Sequence, residues 1–143
     1  MYNRSHFLDL TERELRRARR YGHPLSILIL NVDCVNSDTR ITPPVIYTQV
    51  IKSVAERLLR FTREPDIIGR FADREFIFAL PETNSSETQS VIERLHECLT
   101  GTPIRTEQGP IDVAIRMADV TTDGGVSDLA SLIDTTQAAL EEA

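Results

Sequence analysis

The stretch DIIGRFADREFIFALPET, residues 66–83, decides how the chain folds. Two apolar runs, 67–71 and 76–80, flank the polar step Ala72-Asp73-Arg74-Glu75, which is the pattern of a β-hairpin. Tight hairpin turns favour Asn-Gly or Gly-Gly, because a positive φ costs little there only for Gly and Asn. This turn has neither. Its composition raises the question of whether a turn that once carried chemistry has lost it.

Outward from the hairpin, each flank reads as alternating helices and strands. Residues 5–21 predict a helix capped by Ser5, with Phe7, Leu8, Thr11, Leu15 and Ala18 on one face and Gly22 as its stop. PLSILILNVD, 24–33, is a nearly unbroken apolar run, as expected of a central strand covered on both faces. Thr42-Pro43-Pro44 opens a second helix whose stripe is Ile46, Val50, Ile51, Val54, Leu58 and Leu59, and Pro65 marks its end. Asn84 with Glu87 predicts a capping box for a third helix over 85–100, stopped by Gly101. A second strand pair, 102–107 and 111–117, is expected to turn at Gly109-Pro110, and a last helix runs over 128–142. The order α-β-α-β-β-α-β-β-α predicts one α+β domain with a central mixed sheet of about five strands flanked by helices.

Composition narrows the function classes. At 143 residues, with 41% hydrophobic and 27% charged residues, the chain suits a single globular domain with a real core. No apolar run approaches the roughly 18 residues of a membrane span, and no signal-peptide pattern opens the chain, so a cytoplasmic domain without membrane insertion is expected. A net charge of −6 argues against nucleic acid as partner, since phosphate binding needs excess cations. Cys34 and Cys98 lack a CxxC or a histidine at metal spacing and read as reduced thiols. His6, His23 and His96 share no ligand spacing. The dense run RELRRARR, 13–20, reads as a solvated helix face.

The element order and its motifs resemble the GGDEF (diguanylate cyclase) domain of bacterial signalling. YNRSHFLDLTERELRRARRYGHPLSILILNVD looks like that family's opening NR…F…L…E…RA.RYG.PLSLL..DID, DIIGRFADREFIFALPET is similar to its DLVARYGGDEFAVLLPET, and LIDTTQAALEEA to its closing ADQALYEAK. The chain begins where the family's LTGL would end, which implies one domain, 1–143, of a longer signalling protein. In the family two GTP-loaded domains meet and condense two GTP into cyclic di-GMP. Mg²⁺ neutralises the phosphates, carboxylates hold it, and a Gly-Gly turn admits the phosphates to the backbone.

Carried over residue by residue, that resemblance implies a degenerate, catalytically inactive domain. The signature pentad falls on Ala72, Asp73, Arg74, Glu75 and Phe76, so both glycines are replaced and Arg74 brings a cation to the metal side. The family's two metal aspartates fall on Asn31 and Asp33, of which Asp33 alone keeps the carboxylate; no Mg²⁺ site or other cofactor is expected. The guanine-reading positions fall on Thr39 and on Tyr47-Thr48, which replace an Asn and a Gly-Asp pair. The family's closing lysine has no counterpart before Ala143.

A second family site, the product-inhibition motif RxxD, is retained as Arg63-Glu64-Pro65-Asp66, five residues ahead of Ala72. Arg63 could present its fork to guanine O6 and N7 while Asp66 accepts from N1–H and N2–H₂. Arg94 aligns with a third family contact, and Arg60 lies one helical turn before Arg63. An RxxD also has a structural explanation, as a helix C-terminus followed by loop chemistry. The resemblance thus implies a cyclic di-GMP receptor that signals to an attached sensory or effector domain or a partner protein, with homodimerisation on binding. The alternatives are a nucleotide-independent dimerisation or interaction module, and a GTP-binding regulator of a linked phosphodiesterase.

Overall fold

The structure, a computed structural model, describes residues 1–35, 43–122 and 128–142. The elements run α1 (Arg4–Tyr21), β1 (Leu25–Val35), α2 (Pro44–Phe61), β2 (Ile67–Ala72), β3 (Glu75–Pro81), α3 (Ser85–Thr100), β4 (Ile104–Thr106), β5 (Gly109–Thr122) and α4 (Leu129–Glu142). The expected α+β order is present throughout. The five strands lie in the order β2-β3-β1-β5-β4.

The sheet is antiparallel in all four pairings, which corrects the expected mixed sheet. β1 and β2 do point the same way, but β3 returns by its hairpin and inserts between them. β5 likewise pairs with β1 rather than with its parallel counterpart β3. The β1-α2-β2-β3-α3-β5 portion is thus the split βαβ arrangement, with β4 added as a short edge. Among the described residues, parallel pairing occurs only at the isolated bridge between Tyr2 and Gly69.

β1 divides two cores. Leu28, Leu30 and Val32 face the α2 and α3 side, where they meet Val50, Val54, Leu58 and Leu95. Leu25, Ile27 and Ile29 face α1 and α4 and meet Phe7, Leu15, Leu132 and Leu140. This strict alternation along a strand buried on both faces is why its sequence is almost continuously apolar. On the α3 face of the sheet lies a small polar knot: the Thr88 hydroxyl donates to Ser26 Oγ (2.7 Å), Ser26 donates to the Thr83 carbonyl (2.8 Å), and Thr121 Oγ1 lies 2.7 Å from Ser26 Oγ. It pins the start of α3 to β1 and β5.

Local signals set most helix ends, with some corrections. Asn3, not Ser5, caps α1, its side chain accepting from His6 N–H at 2.9 Å; Gly22 ends the helix with φ +68. The capping box at Asn84 and Glu87 is present. Leu59, expected in the α2 stripe, is exposed, because the stripe turns away from the sheet one residue after Leu58. The second hairpin turns at Glu107-Gln108, and Gly109-Pro110 belong to β5, with Gly109 supplying φ +92 at the turn's exit. Arg57 covers the carbonyl end of α3 by donating to Leu99, Thr102 and Pro103 carbonyls at 2.8 to 3.3 Å.

Gly69 on β2 is required by close approach rather than by its backbone angle. A Cβ there would stand 2.8 Å from Phe7 Cβ, and Phe7 is fully buried. Gly69→Ala is therefore expected to cost about 1–3 kcal/mol of stability by overpacking. Urea unfolding should show a lower midpoint at unchanged slope; an unaltered midpoint would mean that α1 shifts off the sheet freely.

Candidate functional site

Two groups of polar side chains stand at opposite ends of the β2–β3 hairpin. At its turn, Asp73 and Arg74 close the loop without a positive φ: Glu82 is the one non-glycine residue with positive φ among the described residues. The pairing register shifts between Arg70 and Ala72 where the strand enters the turn. The Arg70 guanidinium then donates to the Ala72 and Asp73 carbonyls and covers the turn from outside.

Beyond Asn31, which is opposite Glu75, β1 has lost β3 as a neighbour. Its next edge group, Val32 N–H, donates to the Arg74 carbonyl at 2.9 Å. The Arg74 guanidinium lies 3.2 Å from Asp33 Oδ1 and stacks 4.2 Å from the centroid of the Tyr47 ring. Tyr47, from the first turns of α2, donates toward Asp33 Oδ1 and the Val32 carbonyl, each at 3.3 Å. On the other side of β1, Arg116 donates to Asn31 Oδ1 at 3.4 Å. Thr48 turns back to the Pro44 carbonyl at 2.9 Å and takes no part. Thr39 lies outside the described residues.

At the opposite end, Arg63, Asp66 and Arg94 line one cleft of about 60 Å³ with Phe61, Phe78 and Leu80. Asp66 Oδ2 accepts from the Arg63 backbone N–H (2.9 Å), and Asp66 Oδ1 from Arg63 Nη2 (3.0 Å). Arg63 Nη2 also donates to Thr83 Oγ1 at 3.1 Å. The Asp66 side chain is 6% exposed and that of Arg63 57%, so the carboxylate is fixed and the guanidinium lies over it. Arg94 stacks 5.4 Å from the Phe61 ring centroid. Arg60 is not brought to this cleft; it donates to its own helix at Glu56 and lines a separate hollow with Arg57 and Cys98.

The whole sequence, residues 1–143, matches the family described as Diguanylate cyclase, GGDEF domain. The chain belongs to the GGDEF family. It is 27% identical over 143 residues to the response regulator PleD of Caulobacter vibrioides, a match that covers all of this chain and 30% of PleD. The fold is that of the FimX GGDEF domain from Pseudomonas aeruginosa, with a TM-score of 0.89 at 16% identity, covering 100% of this chain and 88% of that one. The GGDEF domain of DgcB from Caulobacter crescentus, solved in complex with c-di-GMP, superposes with a TM-score of 0.75 at 20% identity, covering 98% and 81%.

Cyclase members of the family employ Mg²⁺, and the donor set of this GGDEF domain fits a hard divalent cation poorly. Asn31 offers a neutral amide oxygen that already accepts from Arg116, and the Asp33 carboxylate faces a guanidinium. A divalent ion bound to Asp33 would meet the like charge of that guanidinium. Among the described residues, no group of three or more His, Cys, Asp or Glu side chains could hold a metal ion. No helix among them is long and apolar enough to cross a membrane.

Arg116 and Arg70 are residues that sequence reasoning did not assign to this end of the domain, and Tyr47, placed there only as a replaced guanine-reading position, contacts Asp33 and Arg74. Tyr47 carries a measurable mark of its position. Burial pushes its hydroxyl from 10.0 up to about 12; Arg74 pulls the other way, and Asp33 and Cys34 add to the rise. The folded state therefore holds a proton that the unfolded chain releases near pH 10, so this contribution to stability is complete below pH 10 and is lost as pH climbs towards 12. Stability measured across that window should fall less steeply in Tyr47→Phe than in the parent, and absorbance at tyrosinate wavelengths should show the late-ionising group absent. Equal slopes would mean that Tyr47 is solvated.

Proposed function

We propose that this GGDEF domain makes no cyclic di-GMP and instead binds it, as a receptor, through the cleft where Arg63, Asp66 and Arg94 converge. The observation that carries the proposal is this convergence of three residues from the end of α2, the start of β2 and the middle of α3. A guanine base offers O6 and N7 to a guanidinium fork and N1–H and N2–H₂ to a carboxylate, so Arg63 and Asp66 together complement two edges of one base. The relative DgcB, solved with c-di-GMP, supports the ligand class.

At about 60 Å³ the cleft has room for roughly two waters, so the base enters as Arg63 swings outward. Asp66 is nearly buried, so the N–H donors of the base must take over its carboxylate as the guanidinium leaves. Arg94, held against Phe61, supplies the second cation for the phosphate or the second base. One ligand presented between two such clefts would bring two domains together, and the response would pass to an attached or partner domain; PleD extends well beyond the stretch matched here. The ligand being an intracellular messenger, the receptor would work in the cytoplasm.

Absence of synthesis is supported by the turn and by the metal side. Ala72 and Asp73 stand where the signature has Gly-Gly, and Arg74 lies on the remaining carboxylate. The same observation speaks against a GTP-binding regulator. A nucleotide-independent interaction module has one observation in its favour, the closure of Arg63 on Asp66 and Thr83.

Calorimetric titration of cyclic di-GMP into the domain should give micromolar or tighter binding, about −8 kcal/mol or better. Arg63→Ala and Arg94→Ala should each weaken it by roughly tenfold or more, about 1.4 kcal/mol. No heat from the parent, with an active GGDEF domain as control, would leave the interaction module. Formation of cyclic product from GTP and Mg²⁺ would overturn the inactive assignment.

A further inference from the structure

We propose that Arg74 is a built-in cation: its guanidinium takes the place of a divalent ion on the Asp33 carboxylate and closes the hairpin turn, β1 and the start of α2 into one unit that forms without metal or nucleotide. The contacts make a ring. Val32 N–H donates to the Arg74 carbonyl (2.9 Å), the Arg74 side chain reaches Asp33 Oδ1 (3.2 Å) and stacks on Tyr47 (4.2 Å), and Tyr47 returns to Asp33 and to the Val32 carbonyl. Each of the three elements is held by the other two.

Charge and coordination both follow from this ring. A divalent ion needs several oxygen ligands free at once. Here one Asp33 oxygen and the Val32 carbonyl already accept from Arg74 and Tyr47, and the Asn31 oxygen accepts from Arg116. A single positive charge on a single carboxylate leaves the pair neutral, and the aromatic face of Tyr47 supplies the stacking partner that a guanidinium takes and a hydrated metal ion does not. The arrangement is independent of the Arg63 cleft, so it stands or falls without regard to cyclic di-GMP binding.

The test is Mn²⁺ binding, read by electron paramagnetic resonance, in the parent, in Asn31→Asp, and in Asn31→Asp combined with either Arg74→Ala or Arg74→Lys. Restoring the carboxylate alone should leave binding as weak as in the parent, because the guanidinium still covers Asp33. Removing the guanidinium as well should tighten Mn²⁺ binding by about tenfold or more, whereas the Lys variant, which keeps the charge, should stay weak. Thermal unfolding with and without Mn²⁺ gives a second reading: the metal should raise the midpoint of the Asn31→Asp/Arg74→Ala protein and leave the parent unmoved. Tight Mn²⁺ binding by Asn31→Asp alone, or a midpoint of the parent that rises with metal, would overturn the proposal. So would additive effects of Arg74→Ala and Tyr47→Leu on urea unfolding, since the stacked members of one closed ring must couple.

Discussion

The pairing register of β1 is the constraint on which the rest of the molecule depends. This strand is hydrogen-bonded along both edges and buried on both faces. A slip of one residue would send Leu28, Leu30 and Val32 into the space of Leu25, Ile27 and Ile29 and disorder two cores at once. The register also decides where polar chemistry can stand. β3 stops with Glu75 opposite Asn31, while β5 continues until Asp112 is opposite Val35. The last residues of β1 therefore have a neighbour on one side alone, and their free edge is where Arg74 and Tyr47 dock. The site at Asp33 is a consequence of unequal strand lengths on a fixed central strand.

The hairpin illustrates how a turn without glycine is fitted to its strands. A two-residue loop without glycine is at odds with the twist of its strands. The register shift beside Ala72 and the Arg70 guanidinium on the turn carbonyls resolve that conflict. The core residues Phe76 and Phe78 are buried on β3 directly after this turn, so the strand packs normally whatever the turn's composition.

What could be read from the residues follows the range of the interaction. The bounds of α3 and its capping box are legible because Asn84 and Glu87 are three residues apart and act on one another. β1 is legible because burial on both faces leaves an unbroken apolar run. The antiparallel sheet is not, because the insertion of β3 between β1 and β2 is a choice among long-range pairings that no local signal encodes. Ser5 and Asn3 are both cap-forming types, and only the chain's entry angle, fixed by the Tyr2–Gly69 bridge, selects Asn3. The convergence of Arg63, Asp66 and Arg94 was anticipated from family resemblance. The roles of Tyr47 and Arg116 were not, since Arg116 meets Asn31 through a register set 85 residues away.

The two arginine–carboxylate pairs at the ends of the hairpin look alike and differ in what can replace them. At Arg63–Asp66 the internal contact matches a donor fork to an acceptor, and a guanine base presents both complements on one rigid ring. On the proposed reading, exchange there leaves the arginine and the aspartate each with a partner, which the nearly buried Asp66 carboxylate requires. At Arg74–Asp33 a metal ion would satisfy the carboxylate and leave the guanidinium beside a second positive charge, with its tyrosine partner still tied to the Val32 carbonyl. On that reading, a guanine base can take the place of the first internal contact, whereas the guanidinium of the second already stands where a cation would. Ligand chemistry, rather than the strength of either internal contact, would then separate the two sites.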